Sequence, residues 1–273
     1  MIDEELTQEQ ENISLYNAEG TNLRKAQLRL LEILIEFDRI CKKHNIQYFL
    51  SGGSCLGAVR HGGFIPWDDD IDIDIWHTDY KRLEKALHSE LPDWVKVQSS
   101  KTDKGYYHFY MRLVDVNSHI MYEDNFVRNK MKYTGLFIDL LPLSHSFSFK
   151  VRKVLNRKLR LAYSMFRVGA KKKHKQYIAY LTLPIYMLLW GLYSLVSKVA
   201  PSDKISHAVP SIHNPKLKYS NCYPPVVTKF EGHEFLGPAK PHEYLKELYG
   251  DDYMTIPPKS KRLIHASDIK FKN

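Results

Sequence analysis

Cysteine is scarce in this chain, three among 273 residues. Cys41, Cys55 and Cys222 lie far apart and show no metal spacing, which excludes a disulfide scaffold and reads as reduced, structural thiols. Internal repeats and low-complexity linkers are absent as well, so neither a solenoid nor a beaded array is expected. The N-terminus, Met1-Ile2-Asp3-Glu4-Glu5, is acidic and shows no charged-then-apolar leader. Export by signal peptide is therefore not expected, and residues 1–20, which are polar, are expected to be loose. Acids vanish between Leu140 and Ser202, where twelve of the 40 Lys and Arg residues fall. That one segment makes the chain basic, at a formal net charge of +9. Such a charge permits nucleic-acid contact, but no motif or aromatic-basic interleaving supports it, and none is expected.

Elsewhere acid is concentrated. Five of the seven residues from Asp68 to Asp74 are aspartates. From Asp70 the pattern alternates, so a strand would put Asp70, Asp72 and Asp74 on one face and Ile71, Ile73 and Ile75 on the other. Acid-rich runs are usually solvated loops or edge strands. Here the isoleucines need a core to cover them, which argues against a loop. Carboxylates crowded on a half-buried face raise one another's pKa, and a hard divalent cation relieves that repulsion. A calcium loop of the EF-hand type is excluded, because no Gly follows Asp72 or Asp74. The run reads as a strand carrying acids to a metal that handles phosphate.

Just upstream, Ile46 to Leu50 reads as a strand. It enters Ser51-Gly52-Gly53-Ser54 and then a short helix, Cys55 to His61, closed by Gly62-Gly63. A glycine turn opening a helix presents backbone N–H groups that suit a phosphate. Most such turns are only turns, but one followed within twenty residues by an aspartate strand is a stronger signal. Arg60 and His61 sit at the far end of that helix, so their reach to a phosphate depends on the loop beyond.

The segment from Gly52 to Asp72 closely resembles the signature of the LicD family, phosphocholine transferases of bacterial surface glycans within the polymerase-β-like nucleotidyltransferase superfamily. Gly135-Leu136-Phe137-Ile138-Asp139-Leu140-Leu141-Pro142-Leu143 is a second match. Phe230-Glu231-Gly232-His233-Glu234-Phe235, with Tyr244-Leu245, Tyr249-Gly250-Asp251 and a tail through His265, is a third. The resemblance covers residues 24–145 and 220–268. It implies an α/β (α+β) fold, a mixed sheet flanked by helices, in a single catalytic domain with a helical insertion at 150–200. It places Gly53 and Ser54 at the donor's phosphates, Asp70 and Asp72 as paired metal ligands, and Asp139 as a third acid on a neighbouring strand. The extra aspartates leave open which two of Asp68, Asp70, Asp72 and Asp74 bind the metal.

The reaction the resemblance implies uses Mg²⁺ (or Mn²⁺). A phospho-alcohol group moves from a CDP-linked donor such as CDP-choline to a sugar hydroxyl of lipopolysaccharide, teichoic acid or capsule, releasing CMP. Asp139 would deprotonate that hydroxyl or position it through the metal. Arg112, in the strand-like run Tyr106 to Leu113, is a second candidate phosphate ligand, or else an ordinary strand arginine. Trp67, Trp76, Tyr106 and Tyr107 are available for an aromatic cage around a quaternary ammonium. With 18 Tyr and 12 Phe in the chain, that does not separate choline from glycerol, ribitol or ethanolamine. Two other readings stay open: a nucleotidyltransferase that releases pyrophosphate, and a degenerate protein that only binds membrane or nucleic acid.

The acid-free block has its own logic. Lys150 to Leu161 suggests an amphipathic helix with Val151, Val154, Leu155, Lys158 and Leu159 together. After Lys171-Lys172-Lys173-His174-Lys175 an uncharged run extends from Gln176 to Ser197. Its length suits a membrane span of about 20 residues, but Pro184, Gly191 and four tyrosines interrupt it. Spanning would also separate the 220–268 tail from the aspartate strand. An interfacial hairpin on a membrane is favoured over a buried core helix and over a span. The enzyme is accordingly expected in the cytoplasm, peripheral on the inner face of the cell membrane.

Coarser elements complete the reading. A helix is expected over Leu23 to Lys43, another from Asp79 to Leu91 capped by Thr78, and a third from His242 to Tyr249 stopped by Gly250. Strands near 94–99, 106–116, 119–122 and 136–140 would complete the sheet.

Overall fold

The computed structural model describes residues 13–121, 130–170, 172–199, 202–262 and 268–271. Helix α1 (Asn22–Lys43) begins where the Thr21 hydroxyl accepts the Arg24 N–H. It lays Leu30, Leu34, Phe37 and Cys41 into the core, as its periodicity predicts. Strand β1 (Tyr48–Leu50) leads into helix α2 (Gly52–His61), longer at its start than expected. Strand β2 (Ile71–Trp76) carries Asp72 and Asp74, and Asp70 lies one residue before its start. Ile71, Ile73 and Ile75 are all fully buried, each contributing about 2 kcal/mol of hydrophobic stabilisation. That burial holds the strand's other face in place.

The sheet is mixed and has seven strands. Its path runs β1, β2, β6 (Phe137–His145), β4 (Met111–Asp115), β3 (Val95–Gln98). The β2–β6 pair is parallel and the other pairs are antiparallel. At nine residues β6 outlasts β4, and its last residues pair instead with β7 (Lys204–His207), which pairs β8 (Leu217–Lys218). Helix α3 (Tyr80–Glu90) starts one residue later than expected, with Asp79 rather than Thr78 at the cap. After the one-turn helix α6 (Tyr219–Cys222), helix α7 (Pro241–Tyr249) ends at Gly250, as predicted.

Two strand expectations need correction. The strand sought at 106–116 occupies only Met111–Asp115, because the Tyr106 carbonyl is taken by Arg167 rather than by a neighbouring strand. The strand at 119–122 is β5 (Ser118–Met121), with residue 122 outside the described residues, and it does not join the main sheet. Both edges of β4 are already occupied, by β3 and β6, so β5 pairs instead with β11 (Asp268–Phe271). A hairpin of β9 (Val226–Phe230) and β10 (His233–Gly237) turns at Glu231 and Gly232, both at positive φ. Residues 1–12 and 263–267, which include the acidic N-terminus and His265, lie outside the described residues.

The acid-free block forms two packed helices, α4 (Phe149–Val168) and α5 (Lys173–Val199). The amphipathic face predicted for α4 is offset. Val151, Val154 and Lys158 are exposed, and the buried stripe runs through Arg152, Asn156, Leu159 and Ala162. Polar partners cause the offset. Arg152 donates to Ser206 Oγ (2.7 Å) and to the Val209 carbonyl, with its guanidinium over the Trp190 ring. Asn156 exchanges two hydrogen bonds with the Ser211 backbone. All three cysteines are free thiols and buried.

Candidate active site

Asp72 and Asp139 stand opposite each other in register across the parallel pair β2–β6. One strand further on, Arg112 of β4 stands opposite Asp139. The glycine turn is sewn to this centre by backbone geometry. Ser51 N–H donates to the Asp72 carbonyl at 2.9 Å, and Asp72 N–H donates to Ser54 Oγ at 2.9 Å. Gly52 N–H donates to the hydroxyl of Tyr244, from α7, at 2.9 Å. Gly52 has φ of +53°, and a Cβ there would stand 3.4 Å from Asp72 Oδ2. A Cβ on Gly53 would stand 3.0 Å from Asp68 Oδ2. The small residues at the start of α2 therefore let two carboxylates approach the helix N-terminus closely.

Negative charge crowds around Asp72. Part of Asp72 faces an open cavity, yet its carboxyl is pushed well above the ordinary range. Burial is the main cause, followed by the charges of Asp70, Asp139, Asp74 and Asp68. The donor set is all carboxylate oxygen, which suits a hard divalent cation and not zinc or copper. Among the described residues no three such side chains already converge on one point. The acids surround Asp72 without closing on it.

Asp139 is held by Arg112 in a bidentate pair, Nε to Oδ1 at 2.8 Å and Nη2 to Oδ2 at 3.1 Å, and the Tyr110 hydroxyl donates at 3.3 Å. Arg112 is 4% exposed and lies over the Phe137 ring, 3.6 Å from its centroid. It faces Asp139 rather than the cavity. Arg60 and His61 are spent elsewhere too. Arg60 donates to the Tyr253 and Thr255 carbonyls and, through Nε, to His61 Nε2 at 2.9 Å. His61 is lowered to about 4 by burial and then by the Arg60 charge.

Beside the acids lies a cavity of about 420 Å³. Of the sequence-predicted catalytic and phosphate-binding residues only Asp72 lines it, together with Gly52 and Asp74. Its other walls carry His207, Lys216, Tyr244, Glu247 and Tyr249, to which sequence reasoning assigned no role. Asp74 is 1% exposed, and its Oδ1 has no hydrogen-bond partner, although His207 Nε2 stands 3.3 Å away. The phenol of Tyr249 is raised by burial and then by Asp72 and Asp68. The four cage candidates do not assemble. None lines the cavity; Trp67 lies under Arg262, Trp76 packs on Tyr219 and Tyr223, and Tyr106 and Tyr107 flank His108.

More distant residues fix the acid loop. Gln27 of α1 donates to the Asp68 carbonyl at 2.9 Å. Glu231, at the tip of the β9–β10 hairpin, pairs with Arg24 (2.7 Å) and accepts Phe64 N–H (3.1 Å). A Cβ on Gly63 would collide with Glu231 Oε1. The Phe230-to-Phe235 and Tyr249-Gly250-Asp251 motifs were the available sequence signals for this support, and only their spatial role was missing.

A glycine turn at a helix N-terminus, followed by acids on two adjacent parallel strands, is the arrangement that the sequence marked as a candidate phosphate site. Residues 45–161 match the family described as LicD/FKTN/FKRP, nucleotidyltransferase domain. The glycine and aspartate motifs, Gly52 to Asp72 and Gly135 to Leu143, both fall inside that match. The lipopolysaccharide cholinephosphotransferase LicD of Haemophilus influenzae is 28% identical over 261 residues, 89% of this chain and 95% of that protein. An uncharacterized protein of Rickettsia prowazekii is 38% identical over 82 residues, 30% of this chain and 29% of its own. The ribitol 5-phosphate transferase FKRP of Homo sapiens is 47% identical over 45 residues, 16% of this chain and 9% of its own.

Proposed function

We propose that this chain is a phosphotransferase that moves a phospho-alcohol group, phosphocholine or a relative of it, from a CDP-linked donor to a sugar hydroxyl of a surface glycan. The observation that carries the reading is the register pair of Asp72 and Asp139 beside the glycine turn. Two relatives bear names of this kind, a cholinephosphotransferase acting on lipopolysaccharide and a ribitol 5-phosphate transferase. The acceptor oxygen bonds to the phosphorus that carries the alcohol, the bridge to the nucleotide phosphate breaks, and CMP leaves with the bridging oxygen.

The chain's own groups divide the work. The start of α2 would receive the donor's phosphates, with Gly53 and Ser54 allowing close approach. Asp70 and Asp72, with Asp139 or Asp68, would hold Mg²⁺ or Mn²⁺, whose chemistry there is neutralisation of phosphate charge. Asp139, fixed by Arg112, would orient the acceptor hydroxyl or accept its proton. Lys216 supplies a cation at the cavity wall. Correct placement of the two reactants, rather than covalent chemistry by the protein, carries most of the rate.

The test offers the purified protein and Mg²⁺ a panel of CDP-choline, CDP-glycerol, CDP-ribitol and CTP with a glycan extract. CMP from one CDP-linked donor supports the proposal and names the alcohol. Pyrophosphate from CTP would replace it with nucleotidyl transfer.

A further inference from the structure

Helix α5 violates the rule for a surface helix. Its inward stripe, Ala179, Leu183, Trp190, Tyr193 and Ser197, packs on α4 and the sheet body. A polar face should lie opposite. Instead that face carries Leu181, Ile185, Leu188, Leu192, Leu195 and Val199 at alternating spacings of four and three. Their exposures run from 52% to 76%. By length and composition α5 is apolar enough to cross a membrane. A crossing is nevertheless incompatible with how its two ends are tied.

At the first end, Arg167 just before the turn into α5 donates to the carbonyls of Ser100, Asp103 and Tyr106, and Lys130 reaches the Val168 carbonyl. At the far end, Tyr193 bonds Ser146, Ser197 Oγ accepts Phe147 N–H, and β7 returns to β6. Between them, Trp190 Nε1 donates to the Ala208 carbonyl. Helix α5, about 40 Å long at 1.5 Å per residue, is thus strapped at both ends to the body that carries the acids.

We propose that the α4–α5 hairpin is a membrane-docking surface, with α5 lying in the plane of an anionic lipid bilayer. The charge selects this occupant. Exposed Lys150, Lys153, Arg157 and Lys158 on α4, and Lys172, Lys173 and Lys175 at the turn, have no acid among them, since none occurs from 141 to 202. A cationic rim around an apolar face complements anionic headgroups and acyl chains together. Val151 and Val154, exposed on α4, extend the apolar surface. The inference stands apart from the proposed reaction and holds whatever the donor is.

Flotation of the full chain with lipid vesicles tests it. Binding is expected to vesicles of phosphatidylcholine and phosphatidylglycerol, to weaken in 0.5 M salt (an ionic strength above about 0.15 M, where exposed charges are screened), and to be weak on phosphatidylcholine alone. Leu188→Glu with Leu192→Glu, both on the exposed face, should abolish flotation and leave the circular dichroism and melting temperature of the protein unchanged. Lys153→Ala with Arg157→Ala should weaken binding about 30-fold, which keeps the test alive if the glutamate variant misfolds. Flotation that ignores all four residues and salt would overturn the proposal. So would a lipid-free dimer, seen by light scattering, that the glutamate pair dissociates, since the face would then be covered by a second copy.

Discussion

Arg112 lies directly across from Asp139 on the antiparallel strand β4, while Asp72 lies across from Asp139 on the parallel strand β2. The central acid is thereby flanked by one compensating charge and one repelling charge. Two consequences follow, one for stability and one for chemistry.

The first concerns Asp72. Its carboxyl is held well above the ordinary range, so the ionised form is unfavourable in the folded protein. Asp72→Asn removes that repulsion and should raise the melting temperature of the metal-free protein at pH 7. The same variant should lose transfer activity by about a thousandfold or more, on the scale of losing transition-state charge stabilisation. Thermal melting with added Mg²⁺ should raise the melting temperature of the parent and leave the variant flat. An equal Mg²⁺ shift in both proteins would remove Asp72 from the ligand set.

Removing Arg112 should be severe. Arg112→Ala strands a mostly buried carboxylate, at about 3–5 kcal/mol. Urea unfolding of Arg112→Ala, Asp139→Asn and the double variant forms a cycle. The double variant should be more stable than the sum of the two single losses implies. Strict additivity would mean that the bidentate pair contributes nothing by itself.

Tyr244 offers a test of the turn. Tyr244→Phe takes away the acceptor of the part-buried Gly52 N–H, with an expected loss of about 1–3 kcal/mol. Because Gly52 borders Asp72, catalysis should fall along with stability. A crystal structure of the variant with an unmoved Gly52 and full activity would show that the turn needs no such anchor.

His61 sets a pH dependence. Its folded pKa is lowered to about 4 by burial and by Arg60, against about 6.5 for the unfolded chain. Between those values the unfolded chain binds a proton that the folded one does not, so stability falls as the pH drops from about 6.5 toward 4. His61→Gln should flatten that part of the melting-temperature profile. A profile with the parent's slope would assign the acid lability to other groups.

How much of this was legible depended on sequence distance. The strand–turn–helix–acid stretch from residue 48 to 76 could be read directly, because its alternation, glycines and caps are local signals. Ile71, Ile73 and Ile75 entered the core as the pattern required. The register that brings Asp139 to Asp72 was suggested only by family resemblance, since no local rule fixes a crossover pair. Tyr244, His207 and Glu231 reach the site over more than a hundred residues of chain, through single hydrogen bonds or ion pairs that periodicity does not record. The α4 face was misjudged because Arg152 and Asn156, polar by type, are buried against polar partners. The short strands β7 to β10 carried too few residues to show a period.

The most direct test of the central claim is the fate of the two phosphates of CDP-choline, or of whichever CDP-linked donor the enzyme accepts. With the alcohol-bearing phosphate labelled and Mg²⁺ present, the label should appear on the glycan and CMP should accumulate in equal amount. Release of labelled phosphocholine with cytidylate attached to the acceptor would contradict the account, because the same acids would then be acting on the other phosphorus.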